Sequence, residues 1–127
     1  MLAMQALCQW EAQPQSPSKL LADWLAEQEI PPAIAGPTAH LVEDFWRRQT
    51  EVDGMLSTTS SNWSFSRISP VERNIMRVAV TEMTAGDPPP KVAINEAIEI
   101  GREFGGAETP RFINGVLDEV FKRLFPA

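Results

Sequence analysis

Glu96, Glu99 and Glu103 recur at spacings of three and four, which would set them along one edge of a helix. Paired carboxylates can do general acid–base work when a cleft perturbs one of them, but at this spacing they ordinarily form a solvated helix face. His40 is the only histidine. Neither a histidine-rich metal site nor a Ser-His-Asp triad is therefore easy to assemble, and His40 itself reads as a helix-surface residue. Cys8, the only cysteine, lies within a turn or two of Leu2, Ala6 and Trp10. It reads as a buried structural thiol, excludes an internal disulfide and fits a reducing compartment. Gly105-Gly106 lacks the Lys-Ser/Thr pair of a phosphate loop and reads as a helix end. Asn95 lies inside an otherwise apolar turn and Asn114 sits beside Gly115; each is expected to tie neighbouring helices together, since a buried amide needs a partner. No enzyme activity, cofactor or metal is expected from these residues. Binding is.

The residues most strongly patterned run from Pro88 to Asp118. Ala93, Ile94, Ala97, Ile98, Gly101 and Phe104 repeat at helical spacing, and so do Phe112, Ile113, Val116, Leu117, Val120, Phe121 and Leu124. Between them, Gly105 and Gly106 are expected to supply positive φ at a helix end. Thr109 is expected to cap the next helix, with Pro110 at its first position. Upstream, Ser69 and Glu72 form a capping box with Pro70 at the first position of a helix that buries Val71, Ile75, Val78, Ala79 and Met83. Gly86-Asp87-Pro88 closes it.

A first helix is predicted from about Leu2 to Ala12, with Ala3, Ala6, Leu7 and Trp10 inward. Ser16 and Pro17 open a second, ended by Pro31 and Pro32. Ala33–Gly36 is ambiguous. A third, from about Pro37 to Leu56, buries Leu41, Val42, Phe45, Val52, Met55 and Leu56, with Arg47, Arg48, Glu51 and Asp53 on its outer side. Ser57–Ser64 reads as a hinge. Nothing alternates with period two, so the fold class is all-α, in about six or seven helices. A single domain is expected over 1–127, with N-terminal helices over about 1–56 and C-terminal helices over about 65–125.

The net charge of −6 speaks against indiscriminate nucleic-acid binding. Its distribution is uneven: up to residue 46 the only basic residue is Lys19, against Glu11, Asp23, Glu27, Glu29, Glu43 and Asp44. No apolar run approaches a membrane span, and Met1–Trp10 lacks the positive leader of a signal peptide. A cytoplasmic protein is expected.

KVAINEAIEIGREFGG followed by RFINGVLDEV resembles the C-terminal half of NusB, the bacterial transcription antitermination family. WSFSRISPVERNIMRVAVTEM, from Trp63 to Met83, is also similar to that family, as is Ala6-Leu7-Cys8-Gln9-Trp10 in its first helix. The likeness is specific over roughly 63–121, and residues 14–62 follow the pattern only in helix spacing. It implies a NusB-type fold of two packed sub-bundles. It also implies a factor that binds boxA-type RNA together with the ribosomal protein NusE during rRNA transcription, in the elongation complex with other Nus factors.

By the same resemblance, Glu108, Arg111, Phe112 and Asn114 match the RNA-proximal helix start. Arg111 would contact phosphate and Phe112 would stack on an unpaired base, unless Phe112 is core. Glu72, Arg73 and Lys91 would lie on the NusE face. A homodimer is allowed, since some members dimerise. Family members begin with an arginine-rich run before the first helix, whereas this sequence starts inside it. A start assigned too late, a trimmed chain or a divergent member would each account for that. Two other settings are open: an RNA-positioning module of an rRNA methyltransferase, and a helical protein-binding scaffold without RNA binding.

Overall fold

The computed structural model describes residues 1–12, 17–59 and 67–126. Its helices are α1 (Leu2–Ala12), α2 (Pro17–Glu27), α3 (Pro32–Arg47), α4 (Gln49–Thr59), α5 (Pro70–Ala85), α6 (Pro90–Phe104) and α7 (Thr109–Leu124). No strand occurs among the described residues. Pro17, Pro32, Pro70 and Pro90 each take the first position of a helix, where a missing N–H costs nothing.

The helix at the centre is α5. It packs against α1, α3, α4, α6 and α7. Its buried residues include Asn74, Ile75, Met76, Arg77, Ala79, Val80, Thr81 and Met83, a set that wraps around the helix instead of lying on one stripe. A helix buried on most sides belongs inside a bundle. The hairpin of α6 and α7 lies on it, α2 packs on α1 and α3, and α4 reaches across to α7. One cluster of buried side chains, among them Leu7, Phe45, Val52, Leu56, Met76 and Leu117, runs through both halves of the chain.

The expected single helix over 37–56 is two. The ladder breaks at Arg48 (φ −112°, ψ 17°), whose N–H is shared between the carbonyls of Asp44 and Phe45. No glycine or proline marks that join, and the apolar spacing fits two helices as well as one. Pro31 and Pro32 open α3 instead of ending α2, and Ala33–Gly36 is helical with Pro37 inside. The chain leaves α2 through Glu29 in the left-handed region (φ 54°). The hinge expected over 57–64 lies partly in α4, and the remainder, like Ser16, falls outside the described residues.

Gly86 closes α5 at φ 80°, with its N–H on the Glu82 carbonyl. Gly105 does not take positive φ (φ −103°, ψ −172°). Its requirement is space, because a Cβ there would lie 2.5 Å from Thr109 Cγ2. A Cβ on Gly101 would lie 2.8 Å from Ile113 Cδ1, so α6 and α7 approach closely at this end. Asn95 and Asn114 are exposed and tie no helices together, and Phe104 and Val92 also face outward. Each lies at the margin of its helix's apolar stripe, where spacing alone does not decide burial. His40 is exposed, as expected.

Leu117 is fully buried under α4 and α5 contacts of α7. Leu117→Ala is expected to cost about 2–5 kcal/mol through lost burial and the cavity left behind. A denaturant midpoint equal to the parent's would show that this packing contributes little.

Candidate functional site

The start of α5 and the start of α7 are fastened to each other by one carboxylate. Ser69 caps α5, accepting the Glu72 N–H at 3.2 Å and donating its hydroxyl to Glu72 Oε1 at 2.9 Å. Only half of the capping box read from the sequence is formed, since Glu72 takes the Ser69 hydroxyl and not the Ser69 N–H. The other oxygen, Oε2, accepts the Thr109 hydroxyl at 2.9 Å. Thr109 Oγ1 in turn accepts the Gly106 N–H at 2.9 Å. Thr109 is therefore the first residue of α7, with Pro110 second, and the residue before it, Glu108, makes no side-chain cap. Its hydroxyl closes the turn and binds α5 instead of capping its own helix.

Beside this fastening opens a cleft of about 400 Å³. Ile68, Ala107 and Phe112 give it apolar walls, and Arg67, Glu72 and Glu108 supply charge. Phe112 is half-buried: its ring packs against the core and lines the cleft, so neither expected reading excludes the other. Arg111 and Asn114 are exposed on the same turns of α7. Glu72, Glu108 and Phe112 are thus brought to one cleft, with Arg111 and Asn114 on the adjoining helix surface.

Lys91 is elsewhere. Its ammonium lies 5.9 Å from the centroid of the Phe121 ring, near the far end of α7. Thr109 and Phe121 are roughly 18 Å apart along the helix at 1.5 Å per residue.

Arg73 is turned inward. It donates to Glu11 Oε1 at 2.8 Å and Oε2 at 2.7 Å, and to the Ile68 carbonyl at 2.6 Å. Arg77, one turn on, donates to Glu11 Oε1 at 2.5 Å and to both oxygens of Asp53 at 2.9 Å. Asn74 Oδ1 accepts from Arg77 as well, at 3.1 Å. The Arg77 guanidinium also lies 5.1 Å from the Phe45 ring centroid and 5.9 Å from that of Trp10.

Spacing alone puts Asp53 on an outer face, whereas the structure turns it to Arg77. The available signal was Arg77 itself, one turn after Arg73 in a helix of otherwise apolar spacing. Burial alone would raise the Glu11 carboxyl, but the hydrogen bonds and charge of Arg73, with the charge of Arg77, hold it below the usual range. Cys8 is half-buried instead of buried as expected, and burial pushes its thiol up, which makes it a poor nucleophile.

The NusB family model matches residues 1–122. The chain belongs to the NusB family. The transcription antitermination protein NusB of Desulforapulum autotrophicum is 43% identical over 122 residues, covering 94% of this chain and 85% of that one. NusB of Syntrophus aciditrophicus is 32% identical over 124 residues, 97% of this chain and 77% of that one. The solved structure of T. maritima NusB matches with a TM-score of 0.84 at 29% identity, over 94% of this chain and 85% of that one. The structure of the antitermination factors NusB and NusE in complex with dsRNA matches with a TM-score of 0.85 over 95% of this chain and 91% of that one; at 23% identity the likeness is one of fold. Among the described residues no cluster could hold a metal ion, and no helix is long and apolar enough to cross a membrane.

Thr109→Val is expected to leave Glu72 Oε2 and the Gly106 N–H without their partner and to cost about 1–3 kcal/mol, while Thr109→Ser retains most of the stability. Equal denaturant midpoints for Val and Ser would remove the hydroxyl from the account. Glu11, held below its ordinary range, contributes stability that is present above that range and lost as pH falls through the folded value. A pH series of urea midpoints is expected to fall on acidification, and more shallowly in Glu11→Gln. Parallel curves would show that Glu11 is not the group responsible.

Proposed function

We propose that this protein is a transcription antitermination factor that binds boxA-type RNA together with NusE during rRNA transcription, in company with the other Nus factors of the elongation complex. It acts by binding, without catalysis, and works in the cytoplasm. Membership of the NusB family supports this reading, and the observation that carries it is the cleft at the shared end of α5 and α7. There an aromatic ring faces an open cavity, with Arg67 at the rim and Arg111 exposed next to it. An unpaired base can stack on such a ring while the guanidinium groups meet phosphate.

Glu108 and Asn114 stand beside them as groups able to accept or donate to a base edge or ribose. Glu72 and Lys91 we assign to NusE; Arg73, expected on the same face, is turned inward. Glu72 and Lys91 would be touched from opposite ends of the α5–α7 layer, so a partner meeting both must span roughly 18 Å. Arg73, bound to Glu11 and the Ile68 carbonyl, acts by holding the wall of the cleft.

The chain's charge of −6 predicts weak binding of boxA-like single-stranded RNA by the protein alone, with a shallow salt dependence. Phe112→Ala is expected to remove about 1–3 kcal/mol of what affinity there is, and Arg111→Ala to reduce the salt slope by roughly 0.7. Adding an arginine-rich segment ahead of Met1, or adding NusE, is expected to tighten binding. Titrations at several salt concentrations check this, and tight, steeply salt-dependent binding that ignores both substitutions would place the RNA surface elsewhere. For the partner, Glu72→Gln with an unchanged circular dichroism spectrum is expected to weaken NusE binding, and equal calorimetric affinity would take Glu72 out of that interface.

A further inference from the structure

At the opposite end of α5 from the cleft, a second groove of about 360 Å³ runs between α1, α3, α5 and α6. Its floor is apolar, formed by Met4, Leu41, Val78, Ala79, Ala97 and Ile100. Ile34, 50% exposed, stands on its edge, and so does the 53% exposed Met1. Large side chains left open beside a groove are the usual mark of a surface that receives something.

The rim is acidic. Glu82 from α5 and Glu96 from α6 line the groove itself. Glu99 and Glu103 line its continuation along α6, which shares Met1, Glu96 and Ile100 with it. Glu96, Ile100 and Glu103 succeed each other at spacings of four and three, so carboxylates and apolar floor lie on one helix face. Glu99 is paired with Arg102. Among the described residues no side chain donates a hydrogen bond or forms an ion pair with Glu82, Glu96 or Glu103, whereas Glu11, Asp53, Asp44 and Glu51 all have arginine partners.

Burial, then the neighbouring Glu96 charge, push the Glu82 carboxyl up to about 7. The groups facing it are Glu96 on α6, Asp87 in the turn after α5 and the Met1 amine at the start of α1. From α3 only uncharged residues reach the groove: Ile34, Pro37, Thr38 and Leu41. A carboxylate held short of its charge by desolvation and a like charge is one that an incoming cation would stabilise.

We propose that this groove docks a basic amphipathic helical segment of a partner protein, its apolar stripe on the Ile34–Ile100 floor and its lysines or arginines against Glu82, Glu96 and Glu103. Charge complementarity selects the occupant. Nucleic acid would be repelled by the same carboxylates, and a second copy of this acidic chain would bring like charge. A helix suits a channel between packed helices, with anchors at every third or fourth position. The stretch of α6 from Ala93 to Glu103 offers it about 15 Å, or some three turns. The surface is separate from the α5–α7 cleft: Glu82 lies ten residues beyond Glu72, about 15 Å along α5.

The test uses the full chain, isotopically labelled, and a synthetic peptide of about four helical turns with leucines on one face flanked by lysines. A second peptide carries glutamate in place of each lysine. Amide shifts are expected at Ile34, Val78, Ala97 and Ile100 with the lysine peptide alone, and affinity should rise as pH is taken upward through the Glu82 range. Glu82→Gln with Glu96→Gln, which changes charge but little shape, should weaken binding about tenfold or more and flatten the pH profile, with the amide spectrum of the free protein retained. RNA binding at the other cleft should be unaffected, which separates this proposal from the preceding one. Shifts elsewhere on the protein, equal binding by the glutamate peptide, or unchanged affinity in the double variant would each overturn it. Concentration-dependent shifts at the same four residues without peptide would overturn it in favour of a second copy.

Discussion

A guanidinium with 7% of its side chain exposed has to have its charge matched, and Arg77 is matched from two directions. Glu11 comes from the end of α1 and Asp53 from α4, helices that are distant in sequence from α5 and from each other. Deleting one member of a buried charge set typically costs about 3–5 kcal/mol; without Arg77, Asp53 would lose its partner while Glu11 kept Arg73. Replacing the whole set by apolar residues can be neutral, so its value lies less in net stability than in position. Apolar packing tolerates sliding. Three charges with defined hydrogen bonds do not, and they fix where α1 and α4 sit on α5.

That constraint reaches the candidate binding site through Arg73. Glu11 holds both arginines, and Arg73 also grips the Ile68 carbonyl just before α5. Ile68 and Arg67 form one wall of the cleft, while Thr109 and Phe112 of α7 form the other. Glu72 ties the two walls through the Thr109 hydroxyl. The cleft is thus set by groups locked by their own partners, which is what a recognition surface needs if it is not to spend binding energy on ordering itself.

Much of this was legible in the sequence. The Ser69 cap on the Glu72 N–H, the prolines that open helices, and the stripe from Ile113 to Val120 all depend on local spacing, and they stand where spacing puts them. What spacing does not carry is which polar residue turns inward. Asp53 and Glu11 look like surface acids until α5 supplies Arg77. Asn95 looks like a buried tie until α6 is seen to turn it outward, off the face that buries Ala93, Ile94, Ala97 and Gly101. The join at Arg48 has no glycine or proline to announce it. Thr109 reads as a helix cap by residue type, yet its hydroxyl is claimed by Glu72, thirty-seven positions away. For Asp53, Glu11 and Thr109 a tertiary contact overrides a local preference.

The Arg77 charge set, and not apolar contact alone, fixes α1 and α4 on α5. Native-state hydrogen exchange on Arg77→Met tests it directly. The amides of α4 should lose protection by about two orders of magnitude, the equivalent of some 3 kcal/mol, and those of α1, still held by Arg73, by less, while those of α6 and α7 around Gly101 and Ile113 keep theirs. Protection unchanged in α1 and α4, or lost equally from the α6–α7 hairpin, would contradict the account.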